Sequence, residues 1–125
     1  MTKEEKELLL KDIFARLPYD LIVQETFQKA KGDSHVWDCG PHYIKDHPEK
    51  VKPYLRPLSS MTEEELEELN CLCYHNISIQ DNRICGYICG GELEDVIDWL
   101  NKKHFDYRGL IPKELALEAL EDMYV

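Results

Sequence analysis

The stretch PYLRPLSSMTEEELEELN, Pro53–Asn70, constrains the fold more than any other part of the chain, because an arm that cannot be helical runs straight into a strongly specified helix start. Pro53 and Pro57 remove two backbone donors and push Lys52 and Arg56 away from helical angles, so Tyr54 and Leu55 belong to an extended segment or edge strand. Thr62 stands where an N-cap is wanted. Glu65, three residues later, completes a capping box, and Met61 with Leu66 is spaced as a hydrophobic staple. Glu63, Glu64 and Glu65 fill the first turn, where the helix dipole favours negative charge. Leu66, Leu69 and Cys73 then form one apolar stripe. The glutamate run reads as a solvated helix start rather than a cation site.

Thr2 and Glu5 repeat the capping box, and Leu9, Leu10, Ile13, Phe14 and Leu17 recur at helical spacing, which predicts an amphipathic helix ending at Pro18. Tyr19–Thr26, branched and apolar around Leu21, Ile22 and Val23, reads as a buried strand. Gly32, Asp33, Gly40 and Pro41 punctuate two apolar pieces, Val36-Trp37 and Tyr43-Ile44, expected as short strands, and Val51–Leu55 is a further one. Ile77 and Ile79 alternate with polar neighbours, Asp81-Asn82 is turn-prone, and Arg83–Ile88 can pair back as a hairpin. After Gly90-Gly91, a helix over Glu92–Lys103 places Leu93, Val96, Ile97 and Leu100 on one face. Pro112 is suited to open a last helix, with Ala116, Ala119, Leu120 and Met123 as its buried side. These elements predict an α+β fold: a small, mostly antiparallel sheet, open or curled into a partial barrel, packed by three or four helices in a single domain over residues 1–125.

A chain of 125 residues, 43% hydrophobic, can bury a core without staples. Its formal net charge of −10 and pI near 4.9 argue against direct nucleic-acid binding, which needs Lys and Arg gathered on one face, and leave a basic partner open. No apolar run is long enough to span a bilayer, and the first fifteen residues are charged and amphipathic, so neither membrane nor signal peptide is expected and the location reads as cytoplasmic. The five cysteines are expected as thiols in that setting.

Cys71, Cys73 and His75, followed by Cys85 and Cys89, supply five soft ligands that could close a tetrahedral zinc site. The spacing argues the other way. One residue separates the first cysteine pair and three the second, and Cys73 falls on its helix's apolar stripe, so core thiols are the simpler account and no other cofactor is expected. In Cys39-Gly40-Pro41-His42 a Gly-Pro turn explains the pattern without a thiol and base. There is no phosphate-cradling glycine loop, HExxH or nucleophile elbow, and therefore no catalytic residue to name. Between the last two expected helices, His104–Arg108 reads first as a connection with Phe105 and Tyr107 packing inward. If a ligand is bound, Tyr54, Arg56, Trp99, Tyr107 and Arg108 supply the aromatic platform and the anion-reading groups.

The arm Pro53–Glu65, the stretch DWLNKKHFDYRGLI over Asp98–Ile111, the pieces Leu115–Ala119 and Asp122–Tyr124, and LLKDIFARLPY over Leu9–Tyr19 together resemble a family of small phage and mobile-element proteins common in gut anaerobic bacteria. The resemblance implies a viral or mobile-element origin, a cytoplasmic place in the infected or element-carrying host cell, and no catalytic residues. The function expected is a non-catalytic accessory protein that binds a host protein or sequesters a small host ligand in counter-defence. Two alternatives stay open: an acidic mimic of nucleic acid that blocks a DNA-binding host factor, requiring the carboxylates of Glu63–Glu68 and Glu92–Asp98 to share one face, and the small zinc protein.

Overall fold

A computed structural model of the protein describes residues 1–73, 77–86 and 90–124. The first helix, α1 (Lys3–Ala15), opens on the expected capping box: Thr2 N–H donates to Glu5 Oε1 at 2.9 Å and Glu5 N–H to Thr2 Oγ1 at 3.1 Å. Leu9 and Ile13 are buried on the expected stripe, and Leu17-Pro18-Tyr19 tightens into a 3₁₀ turn ending at left-handed Asp20.

The sheet is built from β1 (Ile22–Phe27), β2 (Ala30–His35), β3 (Val51–Leu55) and β6 (Leu117–Glu118), in the spatial order β2-β1-β3-β6. β1 pairs antiparallel with both neighbours, whereas β6 runs parallel to β3. It is an open sheet, not a barrel. β1 and β2 turn on Gln28 and Lys29, both at positive φ, with Phe27 opposite Ala30. Pro53 is tolerated inside β3 because β6 meets only Tyr54 and Leu55 and asks no hydrogen bond of it.

Two expectations fail here for one physical reason. Val36-Trp37 and Tyr43-Ile44 are not strands: they lie in short helices, α2 (Val36–Cys39) and α3 (Pro41–Asp46), that bury Val36 and Ile44 against α1 and the sheet. Gly40, at φ 94°, breaks the chain between them, and Pro41 brings a helical φ to the first position of α3. The strand is instead the polar run AKGDSH, which needs no apolar face because it lies at the sheet edge and is held by its ladder to β1.

Helix α4 (Glu63–Cys73) begins as expected, with Thr62 N–H on Glu65 Oε1 and Glu65 N–H on Thr62 Oγ1, each at 3.1 Å, and buries Leu69 and Cys73. The hairpin forms from β4 (Ser78–Gln80) and β5 (Arg83–Cys85) around Asp81-Asn82, both left-handed; its expected extension to Ile88 lies outside the described residues. Helix α5 (Gly90–Lys102) packs against α4, burying Val96 and Leu100, while Leu93 is 46% exposed and does not belong to that face. Among the described residues, no helix follows Pro112. Asp106 accepts the N–H groups of Leu110 and Ile111, Leu115 N–H returns to Leu110 O, Glu114 takes a left-handed φ of 61°, and Ala119 N–H joins Leu55 O of the sheet. These bonds lay the segment down as an edge strand: Ala116 is buried but Leu120 is 65% exposed.

Two apolar clusters result. One joins α1, the sheet, α2 and α3 to Leu110, Leu115 and Ala116; the other joins Leu58, α4 and α5 to Ile77 and Phe105. The loop after α5 connects them. Arg56 N–H donates to His104 O at 2.7 Å and Asp106 N–H to Arg56 O at 2.8 Å, stitching the proline arm onto that loop. No helix among the described residues is long and apolar enough to cross a membrane.

Candidate functional site

The loop His104–Gly109 organises most of the polar chemistry. Behind it lies a buried joint absent from the sequence reading. Arg16 and Asp12, both fully buried, pair through Nε–Oδ2 at 3.0 Å and Nη2–Oδ1 at 3.1 Å, and Arg16 Nη2 also donates to Phe105 O at 2.6 Å. Arg108 reaches the same carboxylate at 2.8 Å, and both guanidiniums lie against the Tyr107 ring. Tyr107 OH donates to Asn101 Oδ1 at 2.8 Å, and burial pushes its phenol pKa up. In front of the loop, Arg56 lies 4.2 Å over the Phe105 ring and grips Glu65 with Nη1 and Nη2 at 2.8 and 2.7 Å. That grip holds the Glu65 carboxyl down to about 2 against desolvation.

The five expected ligand residues therefore have internal partners and do not share a pocket. Arg56 is spent on Glu65, and Tyr107 and Arg108 are spent on the buried joint. Tyr54, nearly buried in β3, donates its OH to Asp33 Oδ1 at 2.8 Å and accepts from Gln24 Nε2. Trp99 stacks on Phe105 at 5.7 Å and donates to Glu68 Oε2 at 3.2 Å, beside a separate groove. Of the five, Arg56 alone lines the cleft described next.

That cleft, about 370 Å³, lies beneath the C-terminal segment, within the roughly 300–1,000 Å³ usual for small-molecule sites. Its walls are Tyr19 and Asp20, Ile22 and His35 of the first hairpin, Arg56 with Glu65, Lys102–His104 at the end of α5, and Met123 and Tyr124. His35 Nδ1 sits 2.8 Å from Asp20 Oδ1. Lys103 approaches Glu68 at 3.9 Å, but Lys102 has no ion-pair partner among the described residues. Tyr124 locks the segment down, donating to Tyr54 O at 2.7 Å and accepting from Ile22 N–H at 3.0 Å, and its ring stacks on His104 at 3.9 Å.

His104 lines this cleft in a left-handed conformation. Burial and the neighbouring Arg16 charge hold its imidazole down to about 4, so it is neutral at physiological pH. Its Nδ1 has no hydrogen-bond partner, and neither has Arg16 Nη1; among the described residues these are the buried side-chain polar atoms left unmatched. The Arg16 charge acts on the His104 ring, but Arg16 itself does not line the cleft. The Arg16 carbonyl holds Tyr19 N–H at 3.0 Å, and its guanidinium holds the carbonyl of Phe105, next in chain to His104.

The zinc alternative finds no cluster of three metal-ligating side chains among the described residues. Cys73 is buried in α4 with its thiol on Leu69 O, Cys71 is exposed, Cys85 is on β5, and His75 and Cys89 lie outside the described residues. The acidic helices α4 and α5 do lie side by side. No family model, no curated protein and no solved structure matches the chain.

Proposed function

We propose that the protein is a non-catalytic binding protein that holds a small anion, carried on a planar ring, in the cleft beneath its C-terminal segment. The observation that carries this reading is the unmatched buried Nδ1 of His104, a residue that lines a cleft also walled by Lys102, which has no ion-pair partner among the described residues. Buried polar groups in folded proteins are nearly always satisfied, so an orphaned ring nitrogen on a cleft-lining histidine is what a bound ligand would complete. Lys102 would supply uncompensated positive charge, His35 a hydrogen-bonding edge, and Tyr19 an aromatic wall for the ring. The Asp20–His35 pair has the form of an oriented base, but the hydroxyls lining this cleft are the phenols of Tyr19 and Tyr124, and the Tyr124 OH is already held by Tyr54 O and Ile22 N–H.

In this reading the protein depletes a host molecule without converting it, in the cytoplasm of an infected or element-carrying bacterium. The likeness of the arm and of the DWLNKKHFDYRGLI segment to phage and mobile-element proteins supports that setting. Calorimetry with adenosine monophosphate, adenosine and inorganic phosphate tests the chemistry. The monophosphate is expected to bind at least about tenfold more tightly than the neutral nucleoside, and Lys102→Glu to remove about as much. Absence of heat with both anions, together with no small molecule retained in the native mass spectrum, would reject it.

A further inference from the structure

A second concave surface lies between α4 and α5 and shares no lining residue with the cleft. It is an open groove of about 530 Å³ lined by Leu72, Trp99, Cys71, Glu64, Glu67 and Glu68. Its floor is apolar and held in place: Trp99 is pinned from behind by its stacking on Phe105 and at its edge by the hydrogen bond to Glu68. Its rim is acidic. Glu64 and Glu67 are exposed and have no hydrogen-bond or ion-pair partner among the described residues, and Asp95, also exposed, lies one helical turn before Trp99 on the same side of α5.

We propose that this groove docks a basic amphipathic helix of a partner protein, which sets an apolar side chain between Leu72 and Trp99 and its Lys or Arg residues against Glu64 and Glu67. Charge decides among the possible occupants. Nucleic acid and anionic membranes are repelled by such a rim. A second copy related by a two-fold axis would bring Glu64 and Glu67 against their own equivalents, which costs rather than stabilises. A basic helix satisfies the slot and the rim together, in the mode in which one apolar face fills a groove between helices and flanking charges set orientation. The apolar slot is what separates this from phosphate mimicry, in which carboxylates alone would attract a basic protein whatever its apolar pattern.

Trp99 is the natural reporter, because Trp37→Phe leaves it as the single tryptophan of the chain. The probes are a lysine-rich peptide of about 18 residues with leucines at the i, i+3, i+4 and i+7 positions of one face, and a scrambled peptide of identical composition. Titration of the full chain is expected to shift Trp99 emission with the amphipathic peptide, at least about tenfold more tightly than with the scrambled one, and to weaken as salt rises. Glu64→Lys and Glu67→Lys, both at exposed positions whose side chains have no partner among the described residues, are each expected to weaken binding several-fold; Leu72→Asp is expected to abolish the emission shift. Lys102→Glu, in the cleft, is expected to leave the peptide affinity unchanged, which separates this proposal from the ligand reading. Equal binding of the scrambled peptide would overturn it in favour of attraction by charge alone. Indifference to both glutamate reversals, or an unmoved Trp99, would overturn it outright.

Discussion

The two arginine–carboxylate joints on either side of the His104–Gly109 loop use the same chemistry at different depths. Asp12, Arg16 and Arg108 meet behind the loop, with Asp12 and Arg16 wholly out of solvent; Arg56 and Glu65 meet in front of it, with side chains 21% and 13% exposed. Each joint lays a guanidinium on an aromatic ring of the loop, Tyr107 behind and Phe105 in front. The rear joint ties α1 to a loop 89 to 96 residues away and is pure scaffold. The front joint ties the arm to α4 and also forms a wall of the cleft, so its charges are matched while Lys102 beside it is not. Depth thus separates charges committed to the fold from charge left over for a ligand.

Removing one partner from each joint breaks or sharpens that comparison. Asp12→Ala leaves two arginines without their carboxylate, Arg16 among them fully buried, and is expected to cost about 3–5 kcal/mol in urea unfolding. A cost under about 1 kcal/mol would mean that water reaches the rear joint. Next in size is the acid response. His104 has a folded pKa near 4, below its ordinary 6.5, so its contribution is complete above about pH 6.5 and is lost as pH falls toward 4. The loss between pH 7 and pH 5 is on the order of 2 kcal/mol. His104→Asn, which tolerates the left-handed backbone, is expected to flatten that window; an unchanged profile would place the acid sensitivity elsewhere. Glu65 acts lower: its depressed pKa contributes stability above about 4.5 that disappears as pH falls toward 2. Smallest is the front joint itself. Arg56→Ala is expected to cost about 1–2 kcal/mol, from the ion pair and the ring contact together, and Glu65→Gln less, since glutamine still reaches back to Thr62 N–H.

The same contrast explains what the sequence disclosed. Both capping boxes and the turn residues Asp81-Asn82 were readable because their determinants lie within four residues of one another. The front joint was half readable: Glu65 declared itself as a cap, but Arg56 seemed spare because its partner bond needs the arm to fold back on α4. The rear joint leaves one signal in the sequence. Asp12 and Arg16 fall at i+3 and i+7 from Leu9, inside the apolar stripe rather than opposite it, which marks them as inward-facing. Arg108 could not be placed, since nothing local links it to α1. β2 was missed because an edge strand draws on its neighbour's ladder and not on its own hydrophobicity. The missing last helix turned on Asp106 capturing two backbone donors, a tertiary event. The cleft is assembled from six separate segments, and no spacing rule gathers Tyr19, His35, Arg56, Glu65, Lys102 and Tyr124.

A small anion is proposed to sit in the cleft beneath the C-terminal segment, beside Lys102, unpaired among the described residues, and the orphaned His104 ring nitrogen. The most direct measurement is an amide chemical-shift titration of the protein with adenosine monophosphate. Saturable shifts are expected, concentrated at Asp20, Ile22, His35, Lys102–His104 and Tyr124, and absent in Lys102→Glu. Shifts confined to α4, or a spectrum unmoved at millimolar ligand, would contradict it.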